Sequence, residues 1–115
     1  MRRVLAIDDD EGILSLLYKF LKAEGYDVVI ADNGDDGIEL FRNGYHFDIV
    51  ITDIGMPGID GNEVAKRIRS SKTPKTPIIA ITGSQQLDIQ KGLFDYVLVK
   101  PFKLKTLKDT IGSFV

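Results

Sequence analysis

Aspartate carboxylates are the residues of this chain whose type and spacing could do chemistry. Asp8, Asp9 and Asp10 follow one apolar run, and Asp53 follows another. Like charges gathered this closely would repel and raise one another's pKa unless a cation lay among them. Oxygen ligands of this kind suit magnesium, which takes one or two carboxylates, keeps waters and bridges to phosphate. The sequence therefore predicts a site for Mg²⁺ and a phosphoryl group.

Helix capping is the alternative role for these acids. An Asp that follows a strand often begins the next helix, where it accepts hydrogen bonds from free backbone N–H groups. We expect one of Asp8, Asp9 and Asp10 to do this. Capping explains a single acid, but it does not explain three in a row together with a fourth after another run.

A hydroxyl and an ammonium group follow two further apolar runs. Thr82 stands before Gly83, and Lys100 stands before Pro101. A threonine can donate a hydrogen bond to a phosphoryl oxygen, and a lysine can offset its charge. Taken singly, such residues more often pack or face solvent. Their position beside the acids strengthens the prediction of a phosphoryl site.

Five short apolar runs, rich in β-branched residues, position these side chains. They cover residues 4–7, 28–31, 49–51, 78–81 and 97–99. Continuous apolarity is typical of strands that helices cover on both faces, as in a parallel sheet. Segments with helical spacing lie between the runs and after the last one. The pattern predicts alternating strands and helices along the chain.

This alternation predicts one α/β domain over residues 1–115. We expect a doubly wound (βα)5 fold of flavodoxin-like type, with a parallel five-stranded sheet in the order 2-1-3-4-5. The first and third strands are then neighbours. The acids after residue 7 and at Asp53 meet at the crevice where such sheets bind ligands.

Composition excludes several classes of function. The chain has 115 residues, with 15 Lys and Arg against 17 Asp and Glu. This balance offers no basic surface for nucleic acid or an anionic membrane, so we expect neither to be bound directly. The chain has no cysteine, which removes thiolate chemistry. No stretch has the length and apolarity of a membrane span or signal peptide, and we expect a cytoplasmic protein.

Four sequence blocks at the ends of the predicted strands match a known family. They are Ile7-Asp8-Asp9, Asp53 to Gly61, Thr82-Gly83 and Lys100-Pro101-Phe102. Over essentially its whole length the chain resembles the receiver domains of response regulators, the CheY-like superfamily. The ordered set of blocks is more specific than any one of them.

The resemblance implies a role for each acid at the site. It makes Asp53 the phosphoacceptor and a metal ligand. Asp9 would bind Mg²⁺ directly, Asp8 would help through a water molecule, and the backbone carbonyl of Gly55 would supply a further ligand.

The resemblance also implies the activity and the partners. Thr82 and Lys100 would contact the phosphoryl group, with a cis peptide between Lys100 and Pro101. The domain would be a phosphorylation-activated switch of a two-component system or phosphorelay, which catalyses only its own phosphorylation and dephosphorylation. The donor would be a phosphohistidine of a sensor histidine kinase or phosphotransfer protein. A downstream protein would receive the signal from a monomer or a phosphorylation-dependent dimer.

Two features depart from the family pattern. The aromatic residue that the family has three positions before the lysine is replaced by Val97, and Tyr96 should point to the opposite face of the sheet. Residues 84–94 leave only eleven positions between the fourth and fifth strands, so the fourth helix should be short or irregular. In the family that the chain resembles, the positions held here by Gly55 and Ser84 tune hydrolysis of the acyl phosphate; neither residue is an acid or a base.

Three other functions fit parts of the sequence. A flavodoxin-like flavin carrier shares the topology, but Asp8, Asp9 and Asp10 would repel the flavin phosphate. An aspartate-nucleophile phosphatase typically has its nucleophile after the first strand, not the third. A pseudo-receiver would act as a protein-interaction module without phosphorylation. The altered fifth strand and short helix favour this last alternative, and the complete acidic cluster opposes it.

Overall fold

The computed structural model describes residues 1–44, 46–83, 89–90 and 92–115. The strands are β1 (Arg3–Ile7), β2 (Asp27–Ala31), β3 (Ile49–Asp53), β4 (Ile78–Thr82) and β5 (Tyr96–Val99). The helices are α1 (Glu11–Ala23), α2 (Gly34–Arg42), α3 (Gly61–Arg69) and α4 (Leu104–Phe114). Within these ranges no helix is both long and apolar enough to cross a bilayer.

The five strands form one parallel sheet in the order β2-β1-β3-β4-β5. The predicted strand order is therefore confirmed. β1 lies between β2 and β3, with Ile7 opposite Ala31 on one side and Thr52 on the other. The carboxyl ends of β1 and β3 consequently lie side by side, which places the residues after them at one rim of the sheet.

Apolar cores cover both faces of the sheet. On one face, side chains of α1 and α4 such as Leu17 and Ile111 pack on β1 and β3. On the other face, Ile38 of α2 and Ile68 of α3 pack on the alternate residues of the same strands. Burial on both faces explains why the strands are continuously apolar in sequence.

Polar side chains begin three of the helices. Asp10 accepts hydrogen bonds from the N–H groups of Gly12 and Ile13, Asn33 caps α2, and Asp60 caps α3. Asp10 is thus the acid of the predicted triplet that caps a helix. Its capping role leaves Asp8 and Asp9 for other contacts.

The sequence predicts a short or irregular fourth helix between β4 and β5. Residues 84–88 and 91 lie outside the described residues, and with them Ser84. Residues 89–90 and 92–95, which are described there, are not helical. The predicted fifth helix corresponds to α4.

Arg69, the last residue of α3, contacts the segments that lead into β4 and β5. Its guanidinium donates to the carbonyls of Pro74, Thr76 and Leu93 at 2.7–2.8 Å and to the Asp95 carboxylate at 2.9 Å. The planar guanidinium presents five donors in a fixed geometry, so it can reach acceptors that lie further apart than those within reach of a lysine ammonium. Arg69 therefore joins the entry to β4 and the entry to β5 to the end of α3.

Candidate functional site

Three carboxylates converge at the rim formed by β1 and β3. Asp8 directly follows β1, and Asp53 is the last residue of β3. One carboxylate oxygen each from Asp8, Asp9 and Asp53 can be chosen so that all three lie within 4.8 Å of one another. Asp8 is fully buried, Asp53 is 6% exposed, and Asp9 faces solvent. The acids predicted to gather are brought together, apart from Asp10.

Lys100 reaches this cluster from the end of β5. Its Nζ lies 3.0 Å from Asp8 Oδ2 and 3.6 Å from Asp53 Oδ2. The backbone N–H of Lys100 donates to the Thr82 carbonyl at 2.7 Å, which fixes the residue beside the end of β4. The peptide bond between Lys100 and Pro101 is cis. A fixed ammonium group thus faces two of the three carboxylates.

Thr82 and Gly55 lie at the same rim. Thr82 is the last residue of β4 and is 8% exposed; the residue before it, Ile81, pairs with Asp53. Gly55 lies two residues beyond Asp53 at an exposed position, and a Cβ built there has no atom within 4 Å. The space next to Gly55 is therefore open.

The backbone around Asp53 is held by contacts that the sequence analysis missed. The N–H of Ile54 donates to Asp53 Oδ1 at 2.9 Å, and the Thr52 hydroxyl donates to the Asp53 carbonyl at 2.9 Å. Gly61, the first residue of α3, packs so closely that a Cβ there would lie 2.3 Å from the Asp53 carbonyl oxygen. The only sequence signal was a glycine placed directly after the capping Asp60.

The charges at the site do not balance. Burial, and next the negative charge of Asp8, raise the pKa of Asp53 to about 6, although Lys100 and the Ile54 N–H favour its ionised form. Burial would lower the pKa of Lys100, but the carboxylates of Asp8 and Asp53 outweigh this and raise it. Three acids and one ammonium leave excess negative charge, which a divalent cation would neutralise.

The donor atoms fit such a cation. Asp8 Oδ2 is buried and, in the described part of the chain, has no hydrogen bond besides its ion-pair contact with Lys100. A carboxylate oxygen can accept from more than one donor, so Asp8 Oδ2 has capacity for an ion or a water molecule besides Lys100. Clustered carboxylates are the hard oxygen ligands that magnesium prefers. This set of residues could hold Mg²⁺.

Successive side chains of β5 point to opposite faces of the sheet, as the sequence predicts. Tyr96 pairs with Ile79, whose side chain belongs to the core under α1 and α4, whereas Val97 pairs with Ala80 on the other face. The Tyr96 ring therefore lies on the face opposite to that of Val97. Both residues are exposed, at 44% and 38%.

The sequence also matches known proteins. Residues 4–112 match the family model of the response regulator receiver domain. The transcriptional regulatory protein AfsQ1 of Streptomyces coelicolor is 38% identical over 98% of this chain, which spans 51% of AfsQ1. The autoinducer 1 sensor kinase/phosphatase LuxN of Vibrio campbellii is 32% identical over 97% of this chain, which spans 13% of LuxN. The chain thus spans about half or less of the length of these curated relatives.

Solved structures agree with these matches. The response regulator protein TrrA of Thermotoga maritima, in complex with Mg²⁺ and BeF, is 37% identical, and each chain covers 100% of the other with a TM-score of 0.91. TrrA in complex with the histidine kinase ThkA aligns with a TM-score of 0.88 at 36% identity, over 100% of this chain and 99% of that one. The family model, the relatives and the shared fold lead to one conclusion: this chain belongs to the response-regulator receiver domains of two-component systems.

Proposed function

We propose that the chain is a switch that accepts a phosphoryl group onto Asp53 from a phosphohistidine donor. The observation that carries this proposal is the convergence of Asp8, Asp9 and Asp53 within 4.8 Å, with Lys100 in contact with two of them. A helix cap or an isolated surface ion pair would not need three clustered acids and a partly buried lysine. Phosphoryl transfer does, because it depends on positioning and charge stabilisation.

The transfer forms one bond and breaks one. A carboxylate oxygen of Asp53 attacks phosphorus in line, the new O–P bond forms, and the P–N bond to the donor imidazole breaks. The imidazole nitrogen leaves with the electron pair of that bond and takes up a proton. Hydrolysis of the acyl phosphate by water returns Asp53 to its carboxylate and releases inorganic phosphate.

Each residue of the site has a part in this reaction. The Ile54 N–H orients the Asp53 carboxylate through Oδ1. The Lys100 ammonium, 3.6 Å from Asp53 Oδ2, offsets charge on a phosphoryl oxygen, and the Thr82 hydroxyl donates to another. The domain would thereby catalyse its own phosphorylation and dephosphorylation without acting on other substrates.

The metal site belongs to the same proposal. Asp9 and Asp53 would bind Mg²⁺ directly, Asp8 would act through water, and the Gly55 carbonyl would complete the protein ligands. When bound, Mg²⁺ neutralises charge on the transferring group. The magnesium and BeF bound to TrrA support this assignment.

We infer the partners from the same relatives. A sensor histidine kinase or a phosphotransfer protein would supply the phosphoryl group, as the complex of TrrA with ThkA supports. A downstream protein would read the phosphorylated state, with the domain as a monomer or a phosphorylation-dependent dimer in the cytoplasm. With a net charge of -2, direct binding to nucleic acid or membrane is not expected.

Intact-mass spectrometry tests the phosphoacceptor. Wild type is incubated with Mg²⁺ and acetyl phosphate, and we expect a labile phosphoryl adduct that a chelator abolishes. Asp53→Asn should give no adduct. Asp10→Asn is the matched control, because Asn also caps a helix well and Asp10 lies outside the cluster.

Two results would contradict the proposal. An equal adduct on Asp53→Asn would move the acceptor elsewhere. An absence of adduct on folded wild type, with acetyl phosphate and with a phosphohistidine donor, would favour a pseudo-receiver that binds partners without phosphorylation.

A further inference from the structure

A groove crosses the open edge of β2 between α1 and α2. This groove, here called the edge groove, has a volume of about 720 Å³ and is lined by residues of both helices and of the strand. We propose that the edge groove binds an extended segment of another protein in which apolar residues alternate with basic ones.

Apolar side chains form one wall of the edge groove. Tyr18 of α1 is 38% exposed and Ile30 of β2 is 40% exposed, and both line the groove above the buried Leu14. Single exposed apolar residues are common on protein surfaces, whereas adjoining ones in a concavity mark binding sites. Ile30 lies on the same face of the sheet as Val28, which belongs to the core under α1.

Four acidic side chains also line the edge groove. The acids are Glu11, Asp32, Asp36 and Glu39. None of them has an ion pair with the residues that the structure describes, although nine ion pairs occur elsewhere. No Lys or Arg among the described residues lines the groove. Lys22 lies above the Tyr18 ring, 5.5 Å from its centroid. The charge therefore favours a cationic partner.

The backbone of β2 offers hydrogen bonds to such a partner. β2 is an edge strand that pairs with β1 alone. The Asp27 N–H donates to Arg2, and the Ala31 carbonyl accepts from the Asp8 N–H, so both groups point toward β1. Because peptide groups alternate in direction along a strand, the N–H and C=O of Ile30 point to the open edge. An extended segment can add there as a further strand.

The two walls define the side-chain pattern of the partner. Tyr18 and Ile30 lie on the α1 side of the sheet, whereas Asp36 and Glu39 lie on α2 on the other side. Successive side chains of an added strand would point to these two sides in turn. Apolar residues would meet Tyr18 and Ile30, and basic residues would meet the acids of α2.

The edge groove is separate from the cleft beside Lys100. That cleft is lined by Ile13 and Leu16, which lie on another face of α1, together with Phe102. The proposed binding does not require phosphorylation of Asp53, because Asp53 does not line the edge groove. Asp53→Asn should bind the partner as wild type does.

Fluorescence anisotropy with a short labelled peptide, lysine alternating with valine or leucine, tests the proposal. We expect Glu39→Lys to weaken binding about fivefold. Asp35→Lys is the matched control, because it makes the same charge change on α2 outside the lining. Ile30→Thr, which keeps a β-branched residue in the strand, should also weaken binding. Circular dichroism verifies that the variants fold.

The peptide itself supplies the second set of controls. Replacing its lysines with glutamate should abolish binding, and replacing its valines and leucines with serine should weaken binding about tenfold. Equal binding of the serine peptide would reduce the edge groove to an unspecific acidic surface. No binding by folded wild type, or equal weakening in Asp35→Lys and Glu39→Lys, would overturn the proposal.

Discussion

Lys100 Nζ lies closer to Asp8 Oδ2, at 3.0 Å, than to Asp53 Oδ2, at 3.6 Å. The ammonium group therefore pairs most tightly with the acid that is fully buried. Asp53 keeps the weaker contact, in agreement with a pKa raised to about 6 by burial and by Asp8. Lys100 thus neutralises the buried acid of the proposed metal site while it faces the proposed phosphoacceptor.

Replacing Lys100 with methionine should destabilise the metal-free protein. The change keeps the length of the side chain but leaves Asp8 buried without a positive partner, which we expect to cost roughly 2 kcal/mol because Lys100 is partly exposed. Urea unfolding of Lys100→Met against wild type measures this loss. In an Asp8→Asn background the same change should cost much less; an equal cost there would show that the pair contributes little.

The stability of the metal-free protein should fall as the pH rises through the titration of Asp53. The pKa of Asp53 is raised from 3.8 to about 6 in the folded protein, so the folded state binds more protons between these values than the unfolded state. The free energy of unfolding should therefore be highest below pH 4. It should fall by up to about 3 kcal/mol as the pH rises above 6.

Asp53→Asn isolates that contribution. The variant should be more stable than wild type at pH 7.5 in chelator and about equal to it at pH 4, as measured by urea unfolding. Saturating Mg²⁺ should reduce the difference in stability between the two proteins at pH 7.5, because a bound cation favours the ionised Asp53 carboxylate of the wild type. Parallel pH profiles for the two proteins would mean that Asp53 has an ordinary pKa.

Gly61→Ala should disturb the Asp53 backbone. A Cβ at this position would lie 2.3 Å from the Asp53 carbonyl oxygen and 2.9 Å from Ile54 Cα, both of which are backbone atoms. We expect a loss of about 2 kcal/mol and slower phosphorylation by acetyl phosphate. Gly112→Ala in α4 is the control. A Cβ at position 112 meets no atom within 4 Å, so Gly112→Ala should raise the free energy of unfolding by about 0.5–1 kcal/mol. Equal stability of the two variants would contradict the close packing at Gly61.

A bulky residue at Gly55 should prolong the phosphorylated state. Gly55 is exposed beside Asp53, and a side chain there meets open space, so Gly55→Phe can fold while it restricts the approach of water. We expect hydrolysis of the acyl phosphate to slow about fivefold, which corresponds to an activation barrier higher by about 1 kcal/mol. The decay of the adduct by intact mass measures it, with Gly55→Ala as the smaller control. An unchanged lifetime of the adduct in Gly55→Phe would show that access of water does not limit the rate of hydrolysis.

The sequence predicted the sheet because its strands are buried on both faces. Continuous apolar runs with β-branched residues show where each strand lies, and the connection rules for parallel strands then restrict their order. The acids at 8, 9 and 53 were predicted to meet for the same reason, since each follows a strand. The roles of Thr82, Lys100 and Gly55 stay predictions until phosphorylation is measured.

Contacts through the backbone were not predictable. The Ile54 N–H that binds Asp53 Oδ1 carries no side-chain signal, and the need for glycine at 61 depends on how closely α3 approaches β3. The sequence also did not show which of three adjacent acids caps α1. That role depends on where the chain turns into the helix, and the structure assigns it to Asp10.

Arg69 anchors the start of the fifth strand. Its guanidinium clamps Leu93 and Asp95, just ahead of β5, to the end of α3. The opposite end of β5 leads into Lys100 at the proposed phosphoryl site. Because Arg69 holds the start of β5, we expect any shift of this strand to be smaller at Tyr96 than at Lys100, the end nearest the proposed phosphoryl site.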